Sequence, residues 1–211
     1  MANHAIRLAA AATFAVTLTG CTGSPAPTSA PAPSPAASTA AAPPSASASA
    51  PAPGSTSWAA PADASAATRA AGLPMLGEEK LAVHYHAHLD VLVDGQAVPV
   101  PAGLGIDQVR QLIAPLHTHD GSGIVHVESA TDVPFTLGQV FTEWGQPLRA
   151  NAVGPVALGS GRVLRVYRNG QAVTGDPAAL VLHGHDEVVV WVGPADQQPQ
   201  VPSSYKFPAG Q

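Results

Sequence analysis

Between Thr22 and Leu73, 45 of 52 residues are alanine, proline, serine or threonine, and Asp63 and Arg69 are the only charged ones. No other stretch restricts the fold as much. Such a segment buries too little apolar surface to offset its ordering entropy, so its composition predicts a disordered tether rather than a layer of a domain. Its prolines favour polyproline II, which gives a reach of about 160 Å at about 3.1 Å per residue. The overall hydrophobic fraction of 45% therefore overstates the core, since alanine supplies much of it and aromatic residues only 5%. Composition changes near Met75, where charges and periodic apolar residues begin. Roughly 130 residues remain to fold, enough for one domain.

Ahead of the tether, Leu8 to Gly20 is a run of small, mostly apolar residues behind Arg7. It is too short to cross a bilayer as a helix and reads as a signal peptide over residues 1–20. The run closes in "LTGC", Leu18 to Cys21, which resembles the bacterial lipobox. That resemblance implies that Cys21 is lipidated and becomes the first residue of the mature chain. Cys21 is the only cysteine, so no disulfide forms within the chain. More than one acyl chain is what stable anchoring requires. The expected organisation is a signal peptide over 1–20, a lipidated cysteine and tether over 21–74, and a domain over 75–211. The membrane is the expected partner through Cys21, with the domain on the extracytoplasmic face. The net charge is −5, and Arg162, Arg165 and Arg168 are too few to form a basic face, so nucleic acid is set aside as a partner.

Within the domain, Tyr85, Ala87, Leu89, Val91 and Val93 alternate with His84, His86, His88, Asp90 and Leu92, the period of a half-buried strand. Asp94-Gly95 then marks a two-residue hairpin. Gln108 to Ile113 is a candidate short helix with Asp107 as its cap. "GIVHVES" predicts a strand with Val125 and Val127 on one face and Ile124, His126 and Glu128 on the other. In "PFTLGQVFTEWGQP", Thr136 is an N-cap with Gln139 as its capping-box partner, and Phe135 and Val140 occupy the staple positions. Leu137, Val140, Phe141 and Trp144 then form one apolar stripe, ended by Gly145 and Pro147. A second hairpin turns at Asn169-Gly170, and "HDEVVVWVG" is a buried strand. The order predicts an α+β fold, with one main helix on one face of a mixed or antiparallel sheet, in a β-grasp-like arrangement.

Six of the nine histidines lie between positions 84 and 126. A strand puts residues i and i+2 on one face, so His84, His86 and His88 share the side opposite the core. His126 and Glu128 share a face in the same way, and "LHTHD" brings His117 and His119. Three segments thus offer nitrogen and oxygen donors suited to a divalent transition metal. Histidines 84 to 88 span about 13 Å along a strand, too far for one ion to take all three. The expected ligands are His86 and His88 with His117 or His119 and His126, and His84 is the remaining candidate. Asp120 and Glu128 are expected as a fourth ligand or as partners fixing an imidazole tautomer. Met75 is the only methionine after the signal, and Cys21 lies at the far end of the tether, so soft-ligand Cu(I) chemistry is disfavoured against Cu(II) or Zn(II). His183 and His185, in "LHGHDE", read as a turn before the last strand and not as ligands.

The segments "HYHAHLDVLVDG", "LHTHDGSGIVHVES", "FTLGQVFTEWGQPL" and "SYKFPAG" together resemble a group of exported bacterial and archaeal proteins without an assigned activity. The resemblance covers most of residues 83 to 207 and none of the tether. It implies that the histidine segments act as a unit, and it carries no chemistry. Four functional readings follow from the residues. The first is a tethered domain that binds Cu(II) or Zn(II). The second is a metal-dependent hydrolase or oxidase. "HYHAHLD" is faintly similar to the H-x-H-x-D-H run of metallo-β-lactamase-type hydrolases, but it places His88 where the aspartate belongs. The third is a stalked partner-binding module without metal, and the fourth a pH-responsive surface. The bland alternative is a solvated strand face.

Overall fold

The computed structural model describes residues 57–159 and 161–211, all within one unit of the chain, Ser49–Gln211. The predicted signal peptide, Cys21 and the tether as far as residue 56 lie outside the described residues. The first element is helix α1 (Ala64–Ala70), capped by Asp63, whose carboxylate accepts from Ala66 N. Strand β1 (Val83–Val93) is the long histidine strand, and β2 (Gln96–Val98) folds back on it. Asp94 and Gly95 between them have φ of 50° and 79°, the paired left-handed conformation that a two-residue hairpin requires.

The candidate helix over 108–113 is not formed. Ile106–Asp107 (β3) pairs with Leu112–Ile113 (β4) as a small hairpin. Asp107 does accept from Arg110 N at 2.9 Å, the bond of a helix cap. Gln111 then turns left-handed at φ 53° and sends the chain back instead of onward. Strands β5 (Leu116–His117) and β6 (Ile124–Ser129) follow.

Helix α2 (Leu137–Glu143) carries the capping box read from the sequence. Its end is a Schellman motif: Gly145 at φ 70° donates to Thr142 O and Gln146 donates to Phe141 O. Three short strands, β7 (Leu148–Arg149), β8 (Ala152–Val153) and β9 (Val156–Ala157), make a separate small sheet. Strand β10 (Arg162–Arg168) turns through Asn169-Gly170 into β11 (Gln171–Ala172), and β12 (Glu187–Pro194) closes the chain's regular structure.

The main sheet runs β11-β10-β12-β1-β6-β5, with β2 also on β1. It is mixed: β12 lies parallel to β1, while β6 lies antiparallel to β1 and β10 antiparallel to β12. On one face Ala87, Leu89, Val91, Val125, Val127, Val188, Val190 and Val192 form a single buried cluster with Leu137, Val140, Phe141 and Trp144 of α2. Burying each such valine, leucine or phenylalanine side chain is worth about 1.5–3 kcal/mol. The other face is divided. Tyr167, Val189 and Trp191 form a small apolar cluster, with Leu92, Val163 and Val201 against it. The histidines occupy the rest.

The folded unit begins well before Met75. Trp58 packs against Trp144 with ring centroids 5.4 Å apart and planes tilted by 46°, and the Trp144 indole donates to the Trp58 carbonyl at 2.9 Å. Gln146 donates to the carbonyls of Ser57 and Ala59. In α1, Ser65 donates to Asp107 at 2.6 Å and Thr68 to Glu143 at 2.8 Å, and both are fully buried. Residues 57–73, read as tether from their composition, are therefore part of the domain. Small side chains allow α1 to approach α2 closely, and hydroxyl bonds supply what apolar area does not. The sheet also has two helices beside it, α1 and α2, where one was expected.

Candidate metal centre

The register of three neighbouring strands sets the site. His86 on β1 stands opposite His126 on β6, and His126 stands opposite His117 on β5. One row of imidazoles therefore crosses β1, β6 and β5. In the next row His84 faces Glu128. Directly opposed residues have Cβ atoms only about 4.5–5.5 Å apart, so rings in one row must touch.

They do. His86 Nε2 lies 3.0 Å from His126 Nδ1, with the rings edge to face at 4.4 Å. Glu128 Oε1 lies 3.5 Å from His84 Nε2 and 3.7 Å from His126 Nδ1. Ligand atoms of one tetrahedral zinc at 2.0–2.1 Å would be separated by about 3.3 Å, so these spacings are close to a coordination shell. His84, His86, His126 and Glu128 each offer an atom within 4.8 Å of the others, and so do His117, His119 and His126. A third set joins Glu79 to His117 and Glu128. These groups are able to hold a metal ion.

Burial works against charge on His86, His117 and His126. His86, His117, His126 and Glu128 are each under 8% exposed, whereas His84 and His119 are exposed at the rim. Desolvation pushes His117 down to about 4, and desolvation with the neighbouring rings pushes His126 down to about 3. His86 is lowered by burial and by His84. Glu128 is raised, first by burial and then by the charge of Glu79.

His117 is the most informative ring. Its Nδ1 lies 2.9 Å from the Ala114 carbonyl, which only accepts, so the proton sits on Nδ1. Nε2 then carries a lone pair, and it is buried without a hydrogen-bond partner. Glu128 Oε2 is likewise buried and unpartnered. A backbone carbonyl that fixes the tautomer and leaves the far nitrogen free is the support a metal-bound histidine receives. Gly105 makes room for it: a Cβ there would meet the Leu116 carbonyl at 2.2 Å and the His117 Cβ at 3.2 Å.

The expected pairing of His86 with His88 is replaced by His86 with His84 and His126. His88 lies opposite Glu187 of the parallel strand β12. Its Nδ1 bonds Glu187 Oε2 at 2.8 Å, its Nε2 donates to the Ser122 carbonyl at 2.9 Å, and Tyr205 stacks on it at 3.7 Å. Burial works against charge on His88, but the bond to Glu187 outweighs it and holds the imidazole above its ordinary range. With both nitrogens engaged, His88 has no lone pair to offer, although Asp90 and Glu187 stand within ligand distance of it. Asp120 is exposed and uses its carboxylate on Ser122 N, at 2.9 Å, so it shapes the loop before β6. His183 sits against Asp186 at 3.4 Å, and His185 stacks on Phe207 at 4.8 Å.

Glu79 and the Ala114 carbonyl were not singled out from the sequence. Glu79 stands in an ordinary charged run, and only the fold brings it to His117. Compared with known proteins, the chain matches no family model, no curated protein and no solved structure. The fold and site define a mixed-sheet α+β domain that carries a histidine–carboxylate cluster on the face opposite its helices.

Proposed function

We propose that the protein is a membrane-tethered extracytoplasmic lipoprotein, whose domain binds a divalent transition metal, Cu(II) or Zn(II), through His84, His86, His117, His119, His126 and Glu128. The observation that carries this reading is the buried, unpartnered Nε2 of His117 beside the unpartnered Oε2 of Glu128. Leaving a buried polar atom unsatisfied costs about 1–3 kcal/mol, and more for a charged group. Coordination to a cation satisfies each of them. The donor set of imidazole and carboxylate, without thiolate or thioether, supports Cu(II) or Zn(II). The order β6-β1-β12-β10, with α2 between β6 and β10 in the chain, supports the β-grasp-like reading of the fold.

The test is direct. The full chain, purified without a histidine tag, is titrated with Cu(II) and with Zn(II) by calorimetry. Micromolar or tighter binding is expected, weakened at least about tenfold in His126→Ala, since losing a well-placed ligand costs at least about 1.4 kcal/mol. A folded parent that binds neither ion removes this reading.

A catalytic role rests on the same residues. In its favour is a cleft of about 360 Å³ lined by His84, Tyr85, His86, Gly184, His185, Gly210 and Gln211, which gives a small substrate access to one side of the cluster. Metal-dependent turnover of a hydrolase or oxidase panel, lost in His86→Ala, is the result that reading requires.

A further inference from the structure

The residues assigned above do not converge on one point. Among the described residues, two sets of ligand atoms share His126, and neither contains both His86 and His117. The register explains the division. His126 is on the middle strand of three, with His86 opposite it on one side and His117 opposite it on the other. The two outer rings meet it differently. His86 comes edge-on and aims Nε2 at Nδ1 of His126, whereas His117 lies nearly parallel to it, with centroids 5.2 Å apart and 16° between planes. His119 closes on His126 edge-on at 4.5 Å.

An imidazole nitrogen has one lone pair. An ion on Nδ1 of His126, with His84, His86 and Glu128 around it, uses that pair and leaves His117 and His119 over. His117 is the ring whose Nε2 is fixed as an acceptor and has no partner. His126 has a second nitrogen, directed away from the first.

We infer that this face holds two divalent cations on either side of one shared ring. The first is bound by His84, His86, Glu128 and Nδ1 of His126, and the second by His117, His119 and Nε2 of His126. Forming the second metal–nitrogen bond displaces the ring's remaining N–H proton to solvent. Negative charge comes from both sides of the pair: Glu128 belongs to the first set, and Glu79 groups with His117 and Glu128. Exposed His84 and His119 give each position its own route to solvent. The inference rests on the metal-binding reading but asks more of it, because one ion would satisfy that reading.

The experiment is a Cu(II) titration of the full chain, with bound metal counted by elemental analysis after dialysis and the spin state followed by electron paramagnetic resonance. Two ions per chain are expected. The first equivalent should give an isolated Cu(II) signal, and the second should diminish it as the two spins couple through the ring. His119→Ala, at an exposed position, should bind one ion with an uncoupled signal, and so should His86→Ala. A parent that saturates at one ion overturns the inference and leaves the metal-binding reading standing. Two ions that never couple, or that survive in His126→Ala, also overturn it. No bound copper overturns both.

Discussion

His88 and His86 are two residues apart on the same face of the same strand, and they have opposite electrostatic characters. His86 is pressed toward neutrality by burial and other imidazoles, while on His88 the bond to Glu187 favours the charged form against burial and Nε2 donates to the Ser122 carbonyl. The difference lies in the neighbouring strands: β6 brings His126 to one, and β12 brings Glu187 to the other. His88 is therefore expected to matter for stability and not for metal. His88→Ala leaves a buried carboxylate without its partner, which costs about 3–5 kcal/mol. The double variant His88→Ala/Glu187→Ala should recover part of that loss. Thermal melts will measure both, and copper stoichiometry in the double variant should equal the parent's. A reduced stoichiometry would return His88 to the ligands.

At the scale of elements, α1 and α2 show how a segment of small residues joins a core. Their contact is held by Thr68 donating to Glu143, a carboxyl that burial pushes up to about 8. Its folded-state value is raised, so its contribution to stability is fully present below the unfolded value near 4.5 and is lost as pH rises toward 8. Glu143→Gln keeps an acceptor for Thr68 and removes the titration. The variant should match the parent near pH 4 and exceed it at pH 8–9 by up to about 5 kcal/mol, on the order of 10 °C or more in melting temperature. A difference that does not change with pH would contradict this account. Much at this scale was legible. The capping box, both Asx-Gly hairpins and the apolar stripe of α2 are local devices whose bonds close within a few residues. The candidate helix over 108–113 was misread because Gln111 turns the chain back into a hairpin that Leu76 bonds at Ile113, and the extent of the tether because its partners lie far along the chain. For Ser65 that partner is Asp107, and for Trp58 it is Trp144.

For the whole molecule, the packing of residues 57–73 shortens the reach available to a lipid anchor. Thirty-five residues separate Cys21 from Ser57, fewer than the 52 counted as tether from composition. Cys21→Ala tests the anchor proposed for them. Each buried acyl methylene contributes about 0.8 kcal/mol to membrane binding. The variant should leave the membrane fraction for the soluble extracytoplasmic fraction and no longer incorporate labelled fatty acid. Retention of the variant on the membrane would count against lipidation, and its domain should still bind metal as the parent does.

Alternation along a strand and caps at helix ends depend only on neighbouring residues, so the amino-acid order alone determined which side of β1 and β6 carries histidines, where α2 starts and stops, and where the hairpins turn. Which imidazoles meet depended on tertiary structure. Register between strands is set by packing of the valine face against α2, and a shift by one residue would move every ring to the other side. That register placed His126 between His86 and His117, gave His88 to Glu187, and brought the Ala114 carbonyl to the ring whose free nitrogen defines the site.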